Sequence, residues 1–73
     1  MTNDLDLFKK NLGKQIASLR EKKGLTQVQL ASLINKDFQS LSRIENGRVN
    51  VSGYILQQIA NALETDMNSL FDF

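Results

Sequence analysis

The fold of this chain is decided by residues 26–47, which read TQVQLASLINKDFQSLSRIENG. This stretch predicts two short helices joined by a tight turn. Thr26 can cap the first helix, and Gln29 three residues later completes a capping box. Asn35 lies where the chain must turn, and Asn tolerates the left-handed backbone conformation better than most residues. Asp37 can then cap the second helix.

The two helices also carry apolar faces that would pack against each other. The apolar face of the first helix consists of Leu30, Ala31, Leu33 and Ile34. Ala31 is small, which suits the closest approach of two helices that cross at a steep angle. Leu41 and Ile44 are three residues apart and therefore share one face of the second helix. Asn46-Gly47 would end that helix, since these residue types favour a left-handed C-terminal cap.

The rest of the chain predicts three more helices. One face of a helix before the motif consists of Phe8, Leu12, Ile16 and Leu19. Gly13 weakens that helix, so we expect it to be firm only after this residue, and Gly24 is its natural stop. After the motif, Ser52 and Asp66 can cap a fourth helix and a short fifth helix that ends in Leu70-Phe71. The inward stripe of the fourth helix consists of Leu56, Ile59, Ala60 and Leu63.

These helices predict an all-α fold, a compact five-helix bundle. We expect one domain over residues 1–73, with residues 1–7 frayed. A chain this small buries only about 60% of its unfolded surface, so its core is thin.

The composition excludes several classes of protein. The chain has no Cys and no His, which excludes disulfides, the usual zinc and copper sites and His-based acid–base catalysis. No glycine-rich phosphate loop is present, so we expect neither an enzyme nor a cofactor. No apolar run approaches the roughly 20 residues of a membrane span. No secretory pattern opens the chain, so we expect a cytoplasmic protein without membrane contact.

The net charge of +1 hides an uneven distribution of charge. All nine basic residues lie between Lys9 and Arg48, whereas both ends of the chain are acidic. A basic middle suits a module that meets a polyanion on one side, although the distribution alone also fits ordinary solvated surface.

The whole pattern resembles the helix-turn-helix of the lambda-type phage repressors, the Cro/C1-type or Xre-like family. The resemblance covers about residues 12–71. The matching pieces are Leu25-Thr26-Gln27, Leu30-Ala31, Ser42-Arg43-Ile44-Glu45-Asn46-Gly47, Ile59-Ala60, Ala62-Leu63 and Leu70-Phe71. The resemblance implies the lambda repressor-like fold and a sequence-specific regulator of transcription that binds double-stranded DNA as a homodimer on palindromic operators. Stand-alone proteins of this pattern resemble Cro-like repressors and restriction–modification controller proteins.

In this family the second motif helix enters the major groove, and residues around it contact the phosphate backbone. The residues that the resemblance places on DNA are Thr26, Gln27, Lys36, Asp37, Phe38, Gln39, Ser42, Arg43, Asn46, Arg48 and Asn50. Gln27 is expected to contact a phosphate through its amide. Asn46, Arg48 and Asn50 are expected to contact the backbone from the loop. Lys36 departs from the family pattern and either reaches a phosphate or is solvated.

Three side chains of the second motif helix are candidates for reading bases. Gln39 can bond adenine N6 and N7, and Arg43 can bond guanine O6 and N7. Phe38 is a second departure from the family pattern, because polar residues are more usual there. Its ring either packs on a thymine methyl group or lies in the core.

The resemblance also implies one structural pair. Arg20 and Glu45 are expected to pair and to tie the first helix to the end of the recognition helix. The apolar residues near the end of the sequence are either a self-association surface or ordinary scattered exposed residues. Apolar residues in the C-terminal third suggest a dimer interface. The residues expected there are Tyr54, Ile55, Leu70, Phe71 and Phe73.

A dimer bound to promoter DNA would either block RNA polymerase or touch it. The rival hypothesis is a protein-interaction module of the same fold, coactivator-like or antitoxin-like. A DNA-binding fragment of a longer repressor is a further alternative. Gln39, Arg43 and Arg48 together favour DNA over a protein partner, because they supply charge and hydrogen-bond donors to one helix and its following loop.

Overall fold

The computed structural model describes residues 4–73, which form five α-helices joined by short turns. The helices are α1 (Asp4–Lys22), α2 (Gln27–Leu33), α3 (Phe38–Glu45), α4 (Gly53–Ala62) and α5 (Met67–Leu70). Between residues 4 and 73 there is no β-strand, so the predicted all-α, five-helix fold is confirmed. None of the helices described is long and apolar enough to cross a membrane.

The starts of α2 to α5 are formed by the side-chain caps that the sequence predicts. Thr26 Oγ1 accepts from the backbone N–H of Gln29 at 3.1 Å, and Gln29 Oε1 accepts from the Thr26 N–H at 2.8 Å. Asp37, Ser52 and Asp66 cap α3, α4 and α5 in the same way. Each cap satisfies a backbone donor that has no partner within its helix, which sets where these short helices begin.

The turns use left-handed backbone conformations at the predicted positions and at one other. Asn35 has a φ of 56°, and Gly24 and Gly47 have φ values of 79° and 71°. Glu64 also has a φ of 56°, although nothing in its residue type predicts this. Its carboxylate pairs with the Lys23 ammonium across the surface. The α4–α5 turn is therefore as tight as the turn inside the motif.

The core consists of apolar side chains from all five helices. Its buried members are Leu12, Ile16, Leu30, Ala31, Ile34, Leu41, Ile44, Leu56, Ile59, Ala60, Leu63 and Leu70. The prediction that Leu33 belongs to the inner face of α2 is wrong, because this side chain is 60% exposed. With 3.6 residues per turn, Leu33 lies about 60° beyond the arc shared by Leu30, Ile34 and Ala31.

The first helix begins earlier than the sequence predicts. Residues 1–3 lie outside the described residues, but residues 4–7 already form the first turn of α1, so the predicted fraying of residues 4–7 is wrong. The helix also continues without interruption through Gly13, which is buried. A Cβ added at Gly13 would lie 2.4 Å from the Glu45 carbonyl oxygen and 2.6 Å from that of Ile44. Gly13 thus allows α1 to touch the end of α3.

We expect Gly13→Ala to destabilise the protein by about 1–3 kcal/mol, although Ala is the better helix former. The backbone of α3 cannot yield to a Cβ as a flexible side chain would. The matched control is Gly53→Ala in the first turn of α4, where an added Cβ meets no described atom within 4 Å. Urea unfolding should show a loss for the first variant and no loss for the control. Equal stability of the two variants would contradict the close approach of α1 and α3.

Candidate nucleic-acid interface

The outer face of α3 forms a shallow concave surface of about 400 Å³. Its lining residues are Phe38, Gln39, Ser42, Arg43, Asn46 and Arg48. The inner face of the same helix buries Leu41 and Ile44, so helical periodicity turns the polar positions outward. Six of the side chains that the sequence places on DNA are thereby brought onto one surface, which we call the α3 face.

The aromatic ring of Phe38 lies on the α3 face and not in the core. This side chain is 48% exposed at the first position of the helix. Of the two alternatives that the sequence left open, the core position is therefore wrong. The ring offers an apolar contact next to Gln39 and Arg43, which carry the hydrogen-bonding groups.

A second, smaller groove of about 220 Å³ runs between α3 and the start of α4. Its lining residues are Lys36, Ser40, Arg43, Ile44, Val49, Asn50, Val51, Ser52 and Ile55. Arg43 lines both this α3–α4 groove and the α3 face, so the two surfaces are continuous. Lys36 and Asn50, which are both exposed, accordingly flank the recognition helix as the sequence predicts for backbone contacts.

The carboxylate of Asp37 is turned toward its own helix. Asp37 Oδ1 accepts from the backbone N–H of Ser40 at 2.7 Å. This backbone hydrogen bond, with a smaller contribution from the positive charges of Arg43 and Lys36, holds the pKa of Asp37 below its usual range. The negative charge therefore stabilises the N-terminus of α3.

Arg20 and Glu45 form the predicted ion pair, and the pair is largely buried. Arg20 Nε lies 2.7 Å from Glu45 Oε2, and Arg20 Nη2 lies 3.1 Å from Oε1. The remaining Arg20 Nη1 donates to the Leu25 carbonyl oxygen at 2.8 Å. The hydrogen bonds that Arg20 donates to the Glu45 carboxylate raise the pKa of Arg20 above its usual value. A bidentate pair of this kind orients both side chains as well as joining them.

Gln27 belongs to the same network, which the sequence analysis did not predict. Its Nε2 donates to Glu45 Oε1 at 2.8 Å, so one amide N–H is used inside the protein. Thr26, the residue before it, uses its hydroxyl oxygen as the cap of α2. A polar residue one position after a helix cap gives no sequence signal for a buried partner 18 positions away. The structure thus gives both residues intramolecular roles beside their predicted contact with DNA.

The residues expected at a dimer interface differ in burial and in the side chains they contact. Tyr54 is 71% exposed, and its hydroxyl accepts from Gln58 Nε2 at 3.2 Å. Ile55 is half-buried and packs against the core at the edge of the α3–α4 groove. Leu70 is fully buried, so its assignment to the interface is wrong. It lies in the core because α5 directs this side chain inward, although it precedes an exposed aromatic residue.

The two C-terminal aromatic residues contact α1 instead. The ring of Phe71 stacks on Phe8 with 6.1 Å between ring centroids, and the ring of Phe73 lies 5.9 Å from Phe8 at a tilt. All three rings remain partly exposed. This aromatic cluster was not predicted, because Phe8 was placed on the inner face of its helix.

Comparison with known proteins places this fold and surface in a family. A helix-turn-helix family model matches residues 16–70. The chain belongs to the HTH_3 helix-turn-helix family, whose members are DNA-binding regulators of transcription. The resemblance to the Cro/C1-type proteins that the sequence suggested is therefore confirmed.

Relatives of this HTH_3 chain differ in length. The restriction–modification controller protein C.AhdI from Aeromonas hydrophila is 32% identical, with a TM-score of 0.90 over 94% of this chain and 100% of that one. The clp gene regulator ClgR from Corynebacterium glutamicum is 30% identical, with a TM-score of 0.85 over 88% of this chain and 82% of that one.

The curated relative that matches is the competence pilus inhibition repressor of Acinetobacter baylyi. It is 31% identical over 61 residues, which are 84% of this chain. This chain spans only 56% of that relative's length.

We expect Glu45→Ala and Arg20→Ala each to cost about 3–5 kcal/mol, since each leaves an unpaired buried charge. The double variant should cost less than the sum of the two, because neither charge then remains without its partner. Lys23→Ala is the control, since it removes an exposed ion pair with Glu64 and should cost at most about 1 kcal/mol. Urea unfolding of all four variants provides the measurement. Additive losses at positions 20 and 45 would show that the pair acts as two separate residues.

Proposed function

We propose that this HTH_3 protein recognises a specific sequence of double-stranded DNA by placing α3 in the major groove, and that it regulates transcription from that site. The observation that carries the proposal is the α3 face, where Gln39, Ser42 and Arg43 are presented side by side. An α-helix with its side chains is about 10–12 Å in diameter, which fits the roughly 12 Å width of the major groove. Phe38 adds an apolar group beside these polar side chains.

The electrostatics of this surface support a polyanionic partner. Two acidic residues lie at the ends of α3, and both are held by groups of the protein itself. Glu45 is buried against Arg20, and Asp37 accepts from its own helix. The cations Lys36, Arg43 and Arg48 remain exposed. The phosphate backbone would thus meet positive charge, which is the main source of affinity for nucleic acid.

The side chains divide into readers of bases and contacts to the backbone. We assign Gln39 to adenine, Arg43 to guanine and Phe38 to a thymine methyl group, because α3 presents these residues from its first two turns. Lys36, Arg48 and Asn50 surround the helix and would position it through phosphates. Asp37 and Thr26 support the helix starts, and Gln27 can still donate its second amide N–H to a phosphate. The amide nitrogen of Asn46 donates to Ser42 instead of to DNA. In this assignment the choice of DNA sequence depends mainly on Gln39, Arg43 and Phe38.

We expect Arg43→Ala and Arg48→Ala to weaken DNA binding in different ways. Arg43→Ala should lose about 1–3 kcal/mol on the preferred site and relax the choice at one base pair. Arg48→Ala should weaken binding to all sequences alike and reduce the salt slope by about one. Binding to selected and random duplexes at several salt concentrations separates the two. Equal losses on both duplexes for both variants would contradict the division into reader and backbone contact.

The same titration tests the rival function. A DNA-binding protein loses affinity for random duplex steeply as salt rises. A protein-interaction module of this fold, coactivator-like or antitoxin-like, would show no such dependence. Wild-type protein that binds no duplex at low salt would overturn the proposed function.

We further propose that the protein binds palindromic operators as a homodimer. A single short helix contacts too few base pairs for useful specificity, and two-fold symmetry would place two α3 helices in successive major grooves about 10 bp apart. Such a dimer on promoter DNA would block RNA polymerase or contact it.

Among the predicted interface residues, Tyr54 and Ile55 are the best placed for this contact. Ile55 is the α4 residue that borders the α3–α4 groove, so a partner subunit packed on the first turn of α4 would lie beside the recognition helix. Phe71 and Phe73 lie in the separate aromatic cluster with Phe8, which makes them a second part of the surface or ordinary exposed residues.

We expect Tyr54→Glu to shift the protein toward monomer and to weaken operator binding while the helical circular dichroism signal is kept. Tyr54 is a better probe than Ile55, because Ile55 also packs against the core. The control is Val28→Glu, a similarly exposed apolar residue on a different helix, α2. Sedimentation should show the shift for the first variant only. Wild-type protein that stays monomeric on a palindromic site would exclude the dimer.

A further inference from the structure

Asn46 and Ser42 form a pair of hydrogen bonds at the C-terminal end of α3. Asn46 Nδ2 lies 2.9 Å from the Ser42 carbonyl oxygen and 3.2 Å from Ser42 Oγ. Both side chains line the α3 face. From this arrangement, and resting on the proposed function, we propose that Asn46 orients the Ser42 hydroxyl as a hydrogen-bond donor toward DNA. Ser42 then selects a base that presents an acceptor, and Asn46 is its positioning residue.

The orientation of the Asn46 amide follows from its neighbours. A backbone carbonyl oxygen can only accept a hydrogen bond, so the amide must turn its nitrogen toward Ser42. The side-chain amide has two N–H groups, and the Ser42 carbonyl and hydroxyl oxygens accept one each. Asn46 therefore has no N–H left for the paired donor and acceptor contact by which Asn usually reads adenine.

The same bonds favour one role for the Ser42 hydroxyl. Its oxygen already accepts from Asn46, and a hydroxyl that accepts a hydrogen bond becomes a stronger donor through its own proton. A helical Ser can instead donate to the carbonyl four residues earlier. Within residues 4–73, the Ser42 hydroxyl donates no hydrogen bond to the Phe38 carbonyl oxygen or to any other acceptor. Its proton is therefore available to a ligand on the α3 face.

The donor role translates into a preference among bases. In the major groove, guanine presents the acceptors N7 and O6, and thymine presents O4, whereas cytosine presents only its N4 donor. Ser42 should accordingly favour guanine or thymine and disfavour cytosine at the base it faces. This choice adds a contact to those of Gln39 and Arg43, which are its neighbours on the same face.

Reversing which of Asn46 and Ser42 donates the hydrogen bond between their side chains tests the inference. In Asn46→Asp, the new carboxylate can only accept, so the Ser42 proton would turn toward it and leave oxygen lone pairs facing the base. The base preference at that one position should move by at least about fivefold toward cytosine or adenine. The matched control is Asn50→Asp, which makes the same substitution in the loop after α3, where Asn50 is exposed.

Selection of bound sites from a random duplex pool is the measurement for wild type and both variants. Each variant should lose affinity for random duplex by roughly tenfold at 0.1 M salt, comparable to one lost phosphate contact. Only Asn46→Asp should change the preferred base. Ser42→Ala should abolish the preference at that position, both alone and together with Asn46→Asp. If Asn46→Asp proves unfolded by circular dichroism, Asn46→Ala should weaken the same preference by freeing the hydroxyl.

Two outcomes would overturn the inference. One is a preference pattern that is identical in wild type and the folded Asn46 variant, and the other is a Ser42→Ala variant that keeps the wild-type pattern. Both presuppose that wild-type protein selects a sequence. Wild-type protein that selects no site and shows no salt-dependent duplex binding would instead refute the proposed function itself.

Discussion

The buried carboxylate of Glu45 is the point on which the arrangement of helices depends. It accepts two hydrogen bonds from Arg20 on α1 and one from Gln27 on α2, while its own backbone ends α3. A charge removed from water is tolerated only when its partners surround it in good geometry. Three helices must therefore meet in one relative position. The absence of a Cβ at Gly13 lets α1 approach the same end of α3 closely enough for this contact.

The α3 helix is held by its buried inner face and by Glu45 at its C-terminal end, so its outer face is not needed for packing. That face needs no apolar residues for stability, because Leu41 and Ile44 already bury the helix. It can therefore carry polar and aromatic groups chosen for a ligand. The negative charge of Glu45 is neutralised inside the protein, so the exposed charge beside α3 comes mainly from its cations. One ion pair thus serves both the packing of the helices and the electrostatics of the proposed DNA surface.

Relatives of this chain differ in length: its fold matches C.AhdI over that whole chain, whereas its sequence matches little more than half of the curated repressor. Such a unit needs few residues because its helix starts are encoded locally. The caps of α2 to α5 and the Asn35 turn were predictable, since these hydrogen bonds join residues only three to five positions apart. The left-handed conformation of Glu64 was not predictable, because Glu has no intrinsic preference for a positive φ.

The sequence by itself determined the motif of residues 26–47, the caps of α2 to α5, the Arg20–Glu45 pair through the family resemblance, and the outer face of α3 apart from Phe38. Helix periodicity predicted most of the core, but tertiary structure decided the burial of the apolar residues that periodicity left open or placed wrongly. Leu70 and Phe71 are adjacent apolar residues, yet the first is in the core and the second is exposed. Leu33 was expected in the core but is exposed. Gln27 was expected to face DNA, but its side chain donates a hydrogen bond to the buried Glu45. Local hydrogen bonds depend on spacing along the chain, whereas burial depends on which helix lies opposite in space, and spacing does not specify that.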